Sequence, residues 1–131
     1  MAETAPQVDL HSRGNRERLA RMVAELLDHW GLSPNDQALL LGLSTQSRST
    51  IARYRRGEPL ADSVDLLARA GHLLGMHKAL RILFPQDRDL AYRWVATPNR
   101  RFGAAPLEIM KRQGYEGILA VRRYLDFERG R

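Results

Sequence analysis

Along most of the chain the apolar residues recur at steps of three and four. In "NRERLARMVAELLDHWGL" the residues Leu19, Met22, Val23, Leu26 and Trp30 fall on one stripe of a helix, and Gly31 ends it. Ser33-Pro34 reads as an N-cap followed by proline at the first helical position. It opens a short helix through Ala38 to Leu41 that Gly42 closes. The next helix starts at Ser47, whose hydroxyl is expected to cap free backbone N–H groups, and runs to Arg56. Gly57 is its left-handed stop and Pro59 lies just beyond. Within it Ile51 and Tyr54 both point inward. Asp62 or Ser63 then caps a long pattern through Val64, Leu67, Leu74 and Leu80 to Phe84, stopped by Pro85. Gly71 and Gly75 are expected to interrupt or bend that helix.

"QDRDLAYRWVATPN" predicts a helix carrying Leu90, Trp94 and Val95, ended before Pro98 because the residue preceding a proline is pushed out of the helical region. "RRFGAAP" reads as a turn. Pro106 opens a short helix with Leu107, Ile109 and Met110 that Gly114 ends. Tyr115 to Phe127 forms a last one on Ile118, Leu119, Tyr124 and Leu125. No run alternates as a strand does and no segment repeats, so the expected class is all-α. Met1 to Gly14 is polar, with Pro6 and Gly14 and no sustained period, and reads as a mobile arm.

Composition narrows the chemistry. A chain of 131 residues with 44% hydrophobic and 27% charged residues has the balance of a globular protein. It is long enough for one domain, or for two small subdomains sharing a core. No run of about 18 apolar residues occurs, and the start lacks the basic and apolar segments of a signal peptide, so a cytoplasmic location is expected. The absence of cysteine removes disulfides, thiolate nucleophiles and the common structural zinc sites. His11, His29, His72 and His77 never pair at the helical step that would place two metal ligands on one face. No phosphate-binding glycine loop or nucleophile elbow is present. The expectation is a protein that binds and does not catalyse, with no cofactor and no metal. The net charge of +6 suits a polyanion such as DNA or an acidic protein partner, and does not choose between them.

The charge concentrates in "SRSTIARYRRGEPL", where Arg48, Arg53, Arg55 and Arg56 precede any acid. One reading is a solvated helix face. The other is the second helix of a helix-turn-helix, which lies in the major groove of DNA. On the second reading Ala38 lets the two helices approach, Gly42 makes the turn, and Ile51 and Tyr54 hold the reading helix. Arg48, Ser49, Ala52 and Arg53 then project outward. Arg48, Ser49 and Arg53 are assigned to base edges, and Ser47, Thr50, Arg55 and Arg56 to phosphates.

This order of small residues, cap and closing glycine resembles the Xre and Cro type of repressor. The segment "LSTQS" makes the turn about three residues longer than those repressors use. The segment from Tyr92 to Gly130 resembles the C-terminal toxin-binding domain of the Xre/MbcA/ParS antitoxin family. The resemblance rests on Arg93-Trp94, Pro98-Asn99, the loop at Gly103, Pro106-Leu107-Glu108 and a closing helix that ends in Gly130. After the unpatterned arm over 1–14, it implies a helix-turn-helix DNA-binding and dimerisation domain over 15–84. A helical toxin-binding domain then covers 85–131, joined to the first by the long middle helix.

The same resemblance implies an antitoxin paired with a RES-domain toxin that consumes NAD. The antitoxin covers the toxin's active-site cleft, with its C-terminal tail near the pocket; here the tail is Glu128, Arg129, Gly130 and Arg131. Residues without a packing role are the other candidates for the toxin surface: Arg100, Arg101 and Phe102 in the loop, and Arg122 and Arg123 on the last helix. An exposed Phe102 flanked by arginines would suit an interface centre. Trp94 and Asn99 join this set, although a tryptophan is first of all a core anchor and Asn99 is a natural turn residue. The loop holds one glycine, followed by Ala104 and Ala105, where the family loop is richer in glycine. A homodimer would place two reading helices about 34 to 36 Å apart on an operator and repress its own promoter. Two other readings stay open at this point: a free-standing transcription regulator whose second half only dimerises, and an interaction protein that does not bind DNA.

Overall fold

The computed structural model describes residues 9–131, so residues 1–8 of the expected arm lie outside the described residues. Among the described residues the chain forms seven α-helices and one 3-10 turn, with no strand beyond a single bridge between Asn99 and Ala104. The first helix, α1 (Arg13–His29), begins before Gly14 because the Ser12 hydroxyl accepts the Asn15 N–H and caps it. Its buried stripe is centred on Ala20, Val23 and Leu27, with Leu26 and Trp30 beside it. Met22 falls off that stripe and is half exposed, against expectation.

A short helix, α2 (Pro34–Leu40), follows, with Ser33 as its cap and Pro34 at its first position as expected. Gly42, at φ +72°, closes it and permits the turn into α3 (Arg48–Arg55). After Gly57, Ser63 caps the long α4 (Val64–Leu83), while Asp62 instead faces His11. Neither Gly71 nor Gly75 interrupts α4. Gly75 makes room: a side chain there would collide with the Arg122 guanidinium, which lies across it.

Beyond Pro85 come α5 (Arg88–Arg93), a 3-10 turn (Trp94–Ala96), α6 (Pro106–Gln113) and α7 (Tyr115–Arg129). The expected helix through Val95 is thus split, its last turn tightened to 3-10 before Pro98. Gly117 lets α7 sit directly on α6, since a Cβ there would come within 2.5 Å of the Ile109 carbonyl oxygen.

The long α4 is the axis of the molecule. It packs on α1 towards the front and on α5 and α7 towards the rear. Leu27, Leu40, Leu60, Leu73, Met76, Leu80, Met110, Ile118 and Leu125 are all fully buried and belong to one continuous core. Each such side chain contributes about 1.5–3 kcal/mol by leaving water. Lys111 on α6 reaches back to Asp36 on α2, 3.2 Å away, and closes the front half against the rear.

Candidate functional site

The basic helix α3 is held from beneath. Ile51 and Tyr54 are buried at 3% and 6% exposure, and the helix rests on α1 and α2. Its outer face presents Arg48, Ser49, Arg53 and Arg56 to solvent, with Thr50 and Ala52 half-buried beside them. The Arg53 guanidinium is steadied by the Thr50 hydroxyl at 3.3 Å and the Glu58 carboxylate at 3.2 Å, yet it stays half exposed. Of the residues assigned above to base edges and phosphates, Arg48, Ser49, Thr50, Arg53 and Arg56 come to this one surface.

Two assignments on α3 change. The Ser47 hydroxyl does not cap: its backbone, at φ −92° and ψ 31°, is not in the extended form from which a cap reaches back, and its own N–H is taken by the Ser44 carbonyl. Arg55 points away from the outer face. Its Nε and Nη2 donate to the two oxygens of Asp28 at 2.7 and 2.9 Å, and Nη2 also approaches the Gln37 carbonyl oxygen at 3.4 Å. The guanidinium expected on a phosphate is already occupied by a carboxylate. That hydrogen bonding holds the Asp28 carboxyl below its usual range and raises Arg55.

At the other end of the molecule three aromatic rings form a wall. Trp94 stacks on Tyr124 with centroids 6.2 Å apart, and Phe102 meets the same Tyr124 edge-on at 5.3 Å. The Arg101 guanidinium lies 6.0 Å over the Tyr124 ring. Asn99 makes the loop as a turn residue, its side chain accepting the Arg101 N–H at 2.8 Å while Asn99 and Ala104 pair across it. Phe102 is therefore a wall residue, half-buried against the core, and not the exposed centre expected of it.

The exposed aromatic is Phe127, at 68%. It borders a groove of about 570 Å³ lined by Arg101, Phe102, Arg123, Tyr124, Phe127 and Glu128. Its place in the last turn of an amphipathic helix, off the Ile118–Leu125 stripe, was the available signal. Arg100, Arg123 and Arg129 are exposed as expected. Arg122 is not free: it donates to Asp126 at 3.0 Å and lies against Gly71 and His72 of α4. Glu128 and Arg129 lie in the last turn of α7, which Gly130 caps as expected, and Arg131 pairs with Glu128 at 3.3 Å.

Between the two ends, Tyr92 is sandwiched by His29 and His77, with centroids 4.7 and 4.9 Å away. Burial, and then the charge of Arg81, pushes His77 below the ordinary histidine value. No group of acids and histidines among the described residues is arranged to hold a metal ion, and no helix is long and apolar enough to cross a membrane.

Both surfaces coincide with known domains. Residues 15–75 match the Antitoxin Xre-like helix-turn-helix domain, and residues 79–131 match the Antitoxin Xre/MbcA/ParS C-terminal toxin-binding domain. The chain belongs to the Xre/MbcA/ParS antitoxin family. It is also similar to the Uncharacterized protein y4oB of Sinorhizobium fredii, with 40% identity over 120 residues that span 85% of this chain and 88% of that one. The outer face of α3 thus lies in the helix-turn-helix domain of this antitoxin. The aromatic wall and the Phe127 groove lie in its toxin-binding domain.

Proposed function

We propose that this antitoxin neutralises a RES-domain, NAD-consuming toxin by covering its active-site cleft, and that as a homodimer it represses its own operon through operator DNA. The observation that carries the first half is Phe127. An aromatic side chain left in water beside a groove, with Arg101 and Arg123 around it, has the make-up of a binding centre and its charged rim. It sits in the last turn of α7, so a toxin seated on it would also meet Arg129, Gly130 and Arg131. Trp94 and Tyr124 would act by keeping the wall rigid, which reduces the ordering cost of association.

The second half is supported by the outer face of α3. Arg48 and Arg53 are long enough to donate twice to guanine from a helix in the major groove, and Arg56 at the helix end suits a phosphate. Thr50 and Ser47 flank the same face. Co-expression with a neighbouring RES protein tests the reading: the toxin should co-purify with the antitoxin, and cellular NAD should be preserved. A toxin that stays lethal and unbound would overturn it.

A further inference from the structure

The two ends of α3 are held differently. Where α3 starts, no side chain caps it. Where it ends, three side chains from three helices meet. Gln37 of α2 is buried to 3% exposure, which makes it the buried polar residue among the described residues. Its Nε2 donates to Asp28 of α1 at 3.0 Å and to the Leu32 carbonyl at 3.1 Å, and its oxygen accepts from Arg55 at 3.4 Å. Arg55, the last residue of α3, closes the ring with two bonds to Asp28. A leucine at position 37 would avoid the desolvation that a buried amide entails. The amide instead supplies directional bonds, and two planar groups paired through parallel bonds fix an angle as well as a distance.

We propose that Asp28, Gln37 and Arg55 are positioning residues that fix the angle at which α3 presents Arg48 and Arg53 to DNA, with Arg55 acting through Asp28 and not on a phosphate. The inference rests on the DNA-binding reading above. Its physical content is a lever. Ile51 and Tyr54 are the pivot, the triad pins one end, and Arg48 rides on the other. Releasing the pin lets Arg48 swing while the hydrophobic anchor stays in place.

The test uses the full chain and a duplex carrying the region upstream of its gene, titrated at several salt concentrations, alongside amide hydrogen exchange of α3 without DNA. Asp28→Asn and Arg55→Gln should each weaken duplex binding about tenfold and lower the exchange protection of α3. Neither should change the slope of log affinity against log salt, whereas Arg56→Gln should reduce that slope by about one unit. The exchanged pair Asp28→Arg with Arg55→Asp should recover both affinity and protection.

The proposal is overturned if Arg55→Gln reduces the salt slope as Arg56→Gln does, or if the exchanged pair binds no better than Arg55→Gln. Should the wild-type chain ignore every duplex, the DNA-binding reading fails by itself. The exchange data then decide the positioning claim alone: unchanged α3 protection in Asp28→Asn would end it.

Discussion

The Trp94 ring lies 10° from parallel with the ring of Tyr124, and through it the 3-10 turn is clamped onto the last helix. Tyr124 is the shared member of the wall, touching Trp94, Phe102 and Arg101 at once. Tyr124→Ala should therefore lower stability by about 2–4 kcal/mol, as large-to-small changes at packed aromatics do. Tyr124→Phe should cost far less, since the ring contacts do not use the hydroxyl. Urea denaturation of the two variants separates them.

Phe127 makes the opposite prediction. At 68% exposure it contributes little to the core. Phe127→Ala should leave stability within about 0.5 kcal/mol and weaken toxin binding by about tenfold or more. Calorimetric titration of purified toxin with the variant measures both the affinity and, by the amplitude, the folded fraction.

Where the chain is cut should matter. Ending it after Leu125 removes Asp126, the partner of Arg122, and so disturbs the seam with α4 as well as the tail. Ending it after Asp126 removes Phe127 to Arg131 and keeps that pair. Both cuts should release the toxin, read as loss of growth on co-expression. The thermal midpoint should fall only for the shorter chain.

On α3, Arg48→Ala combined with Arg53→Ala should abolish binding to the upstream duplex while toxin neutralisation persists. The two side chains are exposed on the outer face of α3 within the helix-turn-helix match, whereas the aromatic wall belongs to the toxin-binding match. Mobility shift with the duplex and growth rescue with the toxin, run on one preparation, report the two activities separately.

Two histidines should give opposite pH dependences. His77 is held below its ordinary value of 6.5 by burial first, then by Arg81 and His29, so the fold favours its neutral form. Glu25 and His29 on α1 and Tyr92 on α5 also border this site. The stability contributed by His77 is complete above pH 6.5 and is lost as pH falls through the lowered value. His11 is raised above 6.5 by its bond to Asp62 and the accompanying charge, so its contribution is present below 6.5 and is lost as pH rises through the raised value. His77→Phe, which keeps a ring against Tyr92, should flatten the fall in denaturation midpoint as pH drops below 6.5. His11→Ala should remove stability at the acidic end alone.

Helix positions were legible in the chain because their punctuation is local. Ser33-Pro34, Gly42, Gly57, Ser63, Pro106 and Gly114 each act within one turn of themselves, and each stands where its local chemistry places it. What misled was the partner at a distance. Arg55 looks like a free surface cation when only its own helix is considered, because Asp28 lies 27 residues away, beyond the reach of any periodicity. Arg122 has Asp126 four residues along its own helix, a pairing the chain does display, while its contact with Gly71 spans 51 residues. Phe102 was misplaced for the same reason: the loop aromatic finds Tyr124 across the fold, while Phe127, which the expected set did not include, stays largely in water at the rim of the groove. Ser47 failed through backbone conformation, which residue type does not specify.

The helix from Val64 to Leu83 is continuous where the front match ends at residue 75 and the rear match begins at 79. No linker separates the two recognised modules. A chimera that grafts the helix-turn-helix domain of one such antitoxin onto the toxin-binding domain of another must therefore inherit this rod from a single parent and rebuild the opposite seam. Recombination of specificities in proteins built this way is a problem of interior redesign before it is one of surface exchange.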